Sequence, residues 1–285
     1  MKPLLKWAGG KARLAPRIEE AFGVPCRGRH LEPFIGSGAV FLWRRAQGHV
    51  GEAILSDVNA KLVALHLATR DDPDGVIEEL SRMPTTAGWE SEYYRIRDEF
   101  NEGPFVGPAH AARFIWLNHA GFNGLYRENR SGGFNVPVGR YTEVHLPDEA
   151  EVRQVSRLFQ GAEIRLCGFE ETMAVACRGD QIYCDPPYVP LTQTAAFTAY
   201  SAGGFTMQHQ KGLAVAAERA ARRGAHVVIS NHDLPVVREY LYSASSGFTV
   251  VDTPPVSRAI SRNVQSRKPV FEVLASIGHP ALRVA

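Results

Sequence analysis

An Asp-Pro-Pro-Tyr sequence at residues 185–188 is the segment best suited to chemistry on an amino group. Two prolines have no N–H, so the local carbonyls and the Asp185 carboxylate form a wall of hydrogen-bond acceptors. The exocyclic amino group of a planar base is a donor that fits this wall, and Tyr188 offers a ring on which the base can stack. We therefore predict a catalytic role for Asp185, Pro186, Pro187 and Tyr188. A proline turn with Asp185 as a helix cap is the structural alternative.

A glycine-containing motif, EPFIGSG at residues 32–38, lies between a predicted strand and a helix predicted at 39–46. Glycines here let the backbone approach a ligand, and the helix N-terminus offers free N–H groups, as in nucleotide pockets. Asp57 follows about twenty residues later, where a carboxylate can accept both hydroxyls of a ribose. A dinucleotide oxidoreductase is a competing interpretation, but Phe41 stands where its fingerprint needs a third glycine.

Strand-like segments precede these motifs and alternate with helical patterns. They are predicted at residues 30–33, 53–57, 163–167, 181–185, 226–231, 248–252 and 270–276. This alternation predicts an α/β fold with a doubly wound, mostly parallel sheet. It is interrupted by helical patterns at 58–69, 76–81, 90–100 and 110–118, followed by a Gly- and Asn-rich loop and hairpin. We interpret this stretch as an inserted, mainly helical domain.

The composition limits the class of protein. With 285 residues, 45% of them hydrophobic, the chain can bury a sizeable core, which excludes a disordered tail or a disulfide-stapled mini-protein. No apolar stretch approaches the roughly 18 residues of a membrane span, and Lys6 interrupts any signal-peptide core. We expect a soluble, unexported protein. The four cysteines lack C-x-x-C or zinc-like spacing, so we expect reduced thiols and no metal.

Basic residues are concentrated in three segments, although the net charge is only +2. Residues 1–18 carry five basic and no acidic residues, 103–141 carry four arginines against Glu128, and 253–271 carry Arg258, Arg262, Arg267 and Lys268 unopposed. If the segments meet in the fold they form one basic face for a polyanion. The alternative is three separate solvated surfaces.

A family resemblance follows from several motifs in order. They are KWAGGK at 6–11, EPFIGSG at 32–38, SDVN at 56–59, the stretch from Asn118 to Tyr141, CDPPY at 184–188, ISNHD at 229–233 and VSRAIS at 256–261. In this order the chain resembles the Dam-type (D12 class) DNA adenine-N6 methyltransferases over nearly its whole length. The resemblance implies a Rossmann-like S-adenosylmethionine-dependent fold and transfer of a methyl group to adenine N6 in duplex DNA.

The resemblance also implies site residues for the cofactor S-adenosylmethionine. Asp57 would bind its ribose, the loop from Phe34 to Gly38 its methionine part, and Phe169 its adenine. The full set implied is Trp7, Lys11, Phe34, Gly36, Gly38, Asp57, Phe169 and Asp185. From sequence alone, Trp7 would more often be a core residue and Lys11 a surface charge. A P-loop interpretation of Gly10-Lys11 fails because Leu5 and Ala12 occupy its other positions.

The resemblance implies that the inserted domain recognises the DNA sequence. The usual target of such proteins is GATC. Arg127 has the fork for a bidentate contact with guanine, and Phe122 would be an aromatic wedge. The implied DNA-binding set is Lys6, Phe122, Asn123, Leu125, Arg127, Asn135, Pro137 and Tyr141. The chain departs from common family patterns at Phe122, Tyr126, Glu128 and Ser131. A structural hairpin with Arg127 on a phosphate is the alternative.

We expect residues 1–58 and 148–285 to form the catalytic domain and 59–147 the target-recognition domain. His119 and His232 are predicted to be structural, and the Asn231-His232-Asp233 segment to shape the pocket floor and cap the next helix. A monomer in the cytoplasm, associated with the nucleoid, fits this interpretation. The alternatives are a DNA-binding protein on an inactive scaffold, a related enzyme with another target sequence, and a methyltransferase for RNA or a protein amide.

Overall fold

The computed structural model describes residues 2–7, 9–190, 204–253 and 271–278. Its strands are β1 (His30–Glu32), β2 (Ala53–Asp57), β3 (Ala162–Leu166), β4 (Gln181–Cys184), β5 (His226–His232), β6 (Thr249–Asp252) and β7 (Glu272–Ile277). Within the described residues they form one seven-stranded sheet in the order β3-β2-β1-β4-β5-β7-β6. The predicted α/β fold with a doubly wound, mostly parallel sheet is confirmed.

Strand direction identifies the edge of the sheet where a ligand is expected. β1 is parallel to β2 and β4, and β4 is parallel to β5, whereas β7 runs antiparallel to β5 and β6. The strand order reverses between β1 and β4. Ligands of such sheets bind outside the carboxyl ends of the strands at this switch point, which is where Glu32 ends β1 and Asp185 follows β4.

Helices connect the strands and build the insertion. They are α1 (Ala15–Phe22), α2 (Ala39–Ala46), α3 (Ala60–Asp71), α4 (Pro73–Ser81), α5 (Trp89–Glu102), α6 (Gly107–Ala120), α7 (Glu149–Phe159), α8 (Phe169–Ala174) and α9 (Met207–Arg222). α3 begins where the Asn59 side chain accepts the Leu62 N–H at 3.1 Å, and α4 begins at the Asp72-Pro73 cap. The four predicted helices of the insertion are confirmed within a few residues.

The chain divides into two compact units whose bounds differ from the predicted domains. The first unit comprises Met1–Ala12, Gly36–Ala46 and Asp57–Leu166, and the second comprises Arg13–Ile35, Gln47–Ser56 and Cys167–Ala285. The first unit therefore includes the glycines of the EPFIGSG loop as well as α7 and β3. Compactness does not decide which residues bind DNA, so the predicted catalytic and recognition domains stay a prediction.

An aromatic core holds the first unit together. Its large buried side chains come from α5, α6 and the loop that follows them: Trp89, Tyr93, Phe100, Phe114, Trp116 and Phe134. The loop does not form the regular hairpin that the sequence predicts, since it has only isolated bridges pairing Gly121 with Val138 and Glu128 with Phe134. Asn101 of α5 satisfies the backbone instead: its amide accepts the Phe134 N–H at 2.8 Å and donates to the Phe134 carbonyl at 3.1 Å.

The second unit has a core of aliphatic residues around β4 and β5. Every residue of β4 and of β5 is buried, as expected for parallel strands covered on both faces. The core residues include Leu31, Ile182, Leu213, Ala217, Val227, Ile229 and Val273. This packing makes the carboxyl end of β4 a rigid support for the Asp-Pro-Pro-Tyr segment.

Other expectations concern membranes, metals and charge. Among the described residues, no helix is both long and apolar enough to cross a bilayer, and no His, Cys, Asp and Glu side chains are grouped as a metal site would require. All four cysteines are free. Ala8, the VSRAIS motif and the basic residues Arg258, Arg262, Arg267 and Lys268 lie outside the described residues.

Candidate functional site

The Asp-Pro-Pro-Tyr segment leaves the buried strand β4 at the switch point of the sheet. Asp185 is half-buried, Pro186 is buried and Pro187 is exposed. The Tyr188 hydroxyl donates to Glu272 Oε2 at 3.1 Å, and its ring meets the His232 ring edge-on at a centroid distance of 4.8 Å. Asp185 is the cap of none of the helices in the described part of the chain, and its catalytic role stays a prediction. The segment presents an acceptor wall, with the Tyr188 ring fixed beside it.

Three carboxylates give this end of the second unit a negative potential. Burial raises the pKa of Tyr183 well above its usual value, and the charges of Asp185, Glu32 and Glu272 raise it further. Burial also raises the pKa of Tyr188, with Asp185 as the next largest cause. The Tyr188 phenol therefore stays protonated and serves as a donor to Glu272 rather than as a base. A site of this potential favours donors and cations over anions.

Phe34, which follows β1, belongs to an aromatic cluster in the second unit. Its ring is stacked on the Phe169 ring at a centroid distance of 5.7 Å, and the Phe205 ring meets both edge-on. Phe169 is only 5% exposed. The structure thus brings Phe34 and Phe169 together, and Phe169 is covered mainly by protein. Its contact with the cofactor adenine stays a prediction.

Gly36 and Asp57 form the core of the candidate cofactor site in the first unit. The Gly36 N–H donates to Asp57 Oδ2 at 3.2 Å, and the Asn59 N–H donates to Asp57 Oδ1 at 3.0 Å. Burial raises the pKa of Asp57, and these N–H donors oppose the increase. Three backbone N–H groups, those of Asn59, Gly36 and Val58, donate to this carboxylate. A carboxylate has about four lone-pair sites, so it can still accept a ligand hydroxyl.

Glycine is required at position 36 for two reasons. Its φ of +50° lies in the left-handed region, and a Cβ would lie 3.0 Å from Trp7 Nε1. The Trp7 ring is stacked on Tyr126 at 5.4 Å between centroids. Gly38 also has a positive φ, and Lys11 is buried, with its Nζ donating to the Gly9 carbonyl at 2.7 Å. Trp7, Gly36 and Asp57 are therefore brought together, and Lys11 is not a surface charge.

His66 holds the other side of Gly36. It is 3% exposed, and its Nε2 lies 2.8 Å from the Gly36 carbonyl, to which it donates. Burial lowers the pKa of His66 to about 4, from an ordinary value of 6.5. Between these two pH values His66 is protonated in the unfolded chain but neutral in the folded protein. Lowering the pH through this range therefore favours unfolding.

We expect the His66→Gln variant to lose stability less steeply in acid than the wild type. Between pH 7.5 and pH 4.5 the neutral imidazole should account for a loss of about 2 to 3 kcal/mol in the free energy of unfolding. Glutamine keeps a donor for Gly36 but does not titrate. Urea unfolding at the two pH values measures the difference, with exposed His145→Gln as the control. Parallel pH dependence in wild type and His66→Gln would contradict the assignment.

The predicted DNA-binding residues surround the loop after α6. Phe122 is 36% exposed, and Asn123 is the only described non-glycine residue with a positive φ, at 54°. A Cβ on Gly124 would lie 2.6 Å from the Lys6 Cβ, so glycine lets these segments meet. The Lys6 ammonium lies 5.4 Å from the centroid of the Tyr141 ring. Part of the first basic segment thus meets the second within the first unit.

Arg127 is held by Asn135 across the same loop. Its Nε donates to Asn135 Oδ1 at 2.7 Å, and one Nη donates to the Asn135 carbonyl at 3.1 Å. The guanidinium keeps donors along its Nη1–Nη2 edge for a bidentate contact. Pro137 is exposed and Leu125 half-buried. The structure therefore brings Arg127 to Asn135 and Lys6 to Tyr141, and the contact of the predicted set with DNA stays a prediction.

Two of the departures from the family pattern form a network with Lys61. The Lys61 Nζ donates to Glu128 Oε1 at 2.7 Å and to the Gly132 carbonyl at 2.6 Å. The Tyr126 hydroxyl donates to the same Glu128 oxygen. Tyr126 and Glu128 thus anchor the loop to α3.

The two histidines are structural, as predicted. The His119 ring lies between the carbonyls of Leu4 and His145 at 2.9 and 2.6 Å, and His232 Nδ1 donates to the Val189 carbonyl at 2.7 Å. The predicted helix cap at Asp233 is wrong. The following helical turn, Val236–Leu241, has no side-chain cap, because Asp233 Oδ1 accepts from Arg238 Nε at 2.5 Å instead.

Sequence reasoning missed two residues of this site. Glu272 and Gln210 contact the Asp-Pro-Pro-Tyr segment from distant parts of the chain, and no local pattern indicates them.

Comparison with known proteins agrees with this geometry. A model of the D12 class N6 adenine-specific DNA methyltransferases matches residues 7–253. The chain is 38% identical over 278 residues to a DNA adenine methylase of Escherichia coli K12, covering 96% of this chain and 94% of the relative. It is 37% identical to the DNA adenine methylases of Vibrio cholerae O395, over 96% of this chain and 95% of the relative, and of Haemophilus influenzae Rd, over 97% and 94%.

These matches remove the oxidoreductase interpretation and support the resemblance seen in the motifs. They cover the loop at Gly36, the carboxylate at Asp57 and the acceptor wall at Asp185. The chain belongs to the D12 class of N6 adenine-specific DNA methyltransferases.

Proposed function

We propose that this enzyme transfers the methyl group of S-adenosylmethionine to N6 of an adenine that has been rotated out of duplex DNA, within the sequence GATC. The observation that carries the proposal is the acceptor wall at Asp185 and Pro186, at the switch point of a parallel sheet. The family supports adenine in DNA as the substrate. The donor, the base rotation and the target sequence are our proposals.

The residues of the first unit fit S-adenosylmethionine. Gly36 leaves space beside the Trp7 indole that a Cβ would fill. The Asp57 carboxylate, which accepts three backbone N–H groups, can still accept a ribose hydroxyl. The residues that would hold the donor are Trp7, Lys11, Gly36, Gly38 and Asp57 of the first unit and Phe34, Phe169 and Asp185 of the second. When bound, S-adenosylmethionine supplies an electrophilic methyl group on a sulfonium.

The acceptor wall addresses the weak nucleophilicity of adenine N6, whose lone pair is delocalised into the ring. The Asp185 carboxylate and the Pro186 carbonyl would each accept one N6–H, drawing the nitrogen toward a tetrahedral shape. Asp185 would also stabilise positive charge on the methylated nitrogen until it loses its proton. Positioning of this kind contributes roughly 7 to 11 kcal/mol in well-oriented reactions. No strong base is needed.

The target base must leave the double helix to reach this wall, at a cost of a few kcal/mol. The Tyr188 ring, fixed by Glu272 and His232, is available to stack on the base and recover part of this cost. Phe122 is an exposed aromatic side chain that could fill the gap left in the DNA. We assign target recognition to residues 59–147 and catalysis to 1–58 and 148–285.

Sequence selection is assigned to the loop that carries Arg127. Asn135 holds Arg127 in place, and Lys6 lies over the Tyr141 ring in the same unit. We assign DNA binding to these residues together with Phe122, Asn123, Leu125 and Pro137. We propose that the protein acts as a monomer on chromosomal DNA in the cytoplasm. Two alternatives to this proposal are a related enzyme with another target sequence and a DNA-binding protein that has lost activity. The next experiment distinguishes them.

We expect plasmid DNA from a methylation-deficient host that expresses this protein to carry N6-methyladenine at GATC. Sequencing that detects the modified base reports activity and target together. Modified adenine in a different sequence would contradict GATC but keep the chemistry. Unmodified DNA in cells that contain folded protein would instead favour a binding protein on an inactive scaffold.

A further inference from the structure

The acceptor wall needs support from elsewhere in the chain, because its prolines cannot donate backbone hydrogen bonds. Positions 186 and 187 have no N–H with which to hold the segment against the sheet. The carbonyls and the next N–H groups remain available. In the second unit two buried side-chain amides occupy these groups, those of Gln210 on α9 and Asn231 on β5.

Gln210 fixes the second proline of the wall. Its Nε2 donates to the Pro187 carbonyl at 2.7 Å, and the side chain is 1% exposed. Its position on α9 is determined by the capping box at Thr206, whose carbonyl accepts the Gln210 N–H at 3.0 Å. The amide that donates to Pro187 therefore lies in the first turn of a helix whose N-terminus is held by a capping box.

Asn231 continues this connection to the far side of the wall. Its Nδ2 donates to Gln210 Oε1 at 3.1 Å, and its Oδ1 accepts the N–H groups of Val189 at 3.1 Å and His232 at 2.9 Å. Asn231 is fully buried. The two amides thus hold the segment at Pro187 and at Val189, on either side of Tyr188.

We propose that Gln210 is a positioning residue for methyl transfer, which acts by holding the Pro187 carbonyl so that the Asp185–Pro186 acceptors face the target amino group. The proposal rests on the proposed function of that wall. Gln210 touches neither the base nor the donor in this role. Its loss should lower kcat, since a displacement of about 1 Å can cost about 100-fold in rate.

The Gln210→Glu variant tests this role through its pH dependence. Glutamate keeps the size of the side chain and still accepts from Asn231, but it can donate to the Pro187 carbonyl only when protonated. We expect kcat at saturating DNA and S-adenosylmethionine to fall at least about 10-fold at pH 8. Relative to wild type, kcat should recover as the pH is lowered. The dissociation constant for S-adenosylmethionine should stay within about twofold of wild type.

Gln208→Glu is the matched control, because Gln208 is exposed on the same helix. It should keep the kcat and the pH profile of the wild type. A Gln210→Glu profile parallel to wild type would overturn the positioning role. If Gln210→Glu does not fold, Gln210→Met removes the donor to Pro187 without adding charge, and it also removes the acceptor of the Asn231 amide. Its melting temperature should fall, because two buried polar groups lose their partner. Measured below that temperature, its kcat should fall at least about 10-fold at every pH, and a kcat within twofold of wild type would overturn the proposal.

The wild-type measurement separates the inference from the function on which it depends. A folded wild-type protein that transfers no methyl group to DNA would refute the proposed function. An active wild type with an equally active Gln210→Glu variant would refute only the role of Gln210.

Discussion

Asp185→Ala is expected to lower kcat for methyl transfer by about 100- to 1,000-fold, the range seen when a single preorganised stabiliser is removed. The variant loses the carboxylate that would accept one N6–H and stabilise the developing charge. Pro186 and its carbonyl remain. Incorporation of labelled methyl groups into duplex DNA at saturating donor measures the effect.

Asp185→Asn separates the role in catalysis from the role in folding. Asparagine keeps the shape of the side chain but places an amino donor in a wall of acceptors. The charges of Asp185, Glu32 and Glu272 act on the same Tyr183, and asparagine removes one of them. We expect the large loss of kcat together with a melting temperature close to that of wild type.

The control for both variants is Glu171→Gln, which removes an exposed carboxylate from α8 in the same unit. It should leave kcat unchanged. Full turnover by Asp185→Ala would remove the acceptor wall as the origin of catalysis. If both Asp185 variants lose turnover and their melting temperatures fall by similar large amounts, Asp185 is instead a structural residue.

Local sequence predicted the catalytic wall because its chemistry lies in consecutive residues. Asp185 follows a buried strand, and the prolines that exclude donors are its neighbours. The support of the wall could not be predicted in the same way. Glu272 reaches Tyr188 only because β7 pairs antiparallel with β5, in a register that places Glu272 opposite His232. A single sequence contains no local signal for this pairing.

The recognition loop shows a different limit of sequence analysis. Its glycines and asparagines predicted a hairpin, but the backbone groups of Phe134 are satisfied by the Asn101 side chain rather than by a strand ladder. A side chain more than thirty residues away replaced the expected partner. Similarly, the positive φ at Gly36 was predictable from its type, whereas the contact with Trp7 depends on the fold.

Arg127→Ala is expected to weaken discrimination at one guanine of the target by about 1 to 3 kcal/mol, or about 5- to 150-fold. The Arg127 fork keeps an Nη1–Nη2 edge for guanine O6 and N7, while Asn135 holds the other side of the guanidinium. The measurement is kcat/KM on DNA duplexes that carry each of the other base pairs in turn at every target position.

Asn135→Ala should weaken discrimination at the same guanine by a smaller factor, because the guanidinium remains but is no longer held. Arg130→Ala, which removes an exposed arginine from the same loop, should leave the preference unchanged. If Arg127 instead contacts a phosphate, its replacement should weaken binding to all duplexes equally and reduce the dependence on salt by about one counterion. The pattern across substituted duplexes therefore decides between the two roles, and the coupling to Asn135 shows whether the geometry of this loop sets the choice of base.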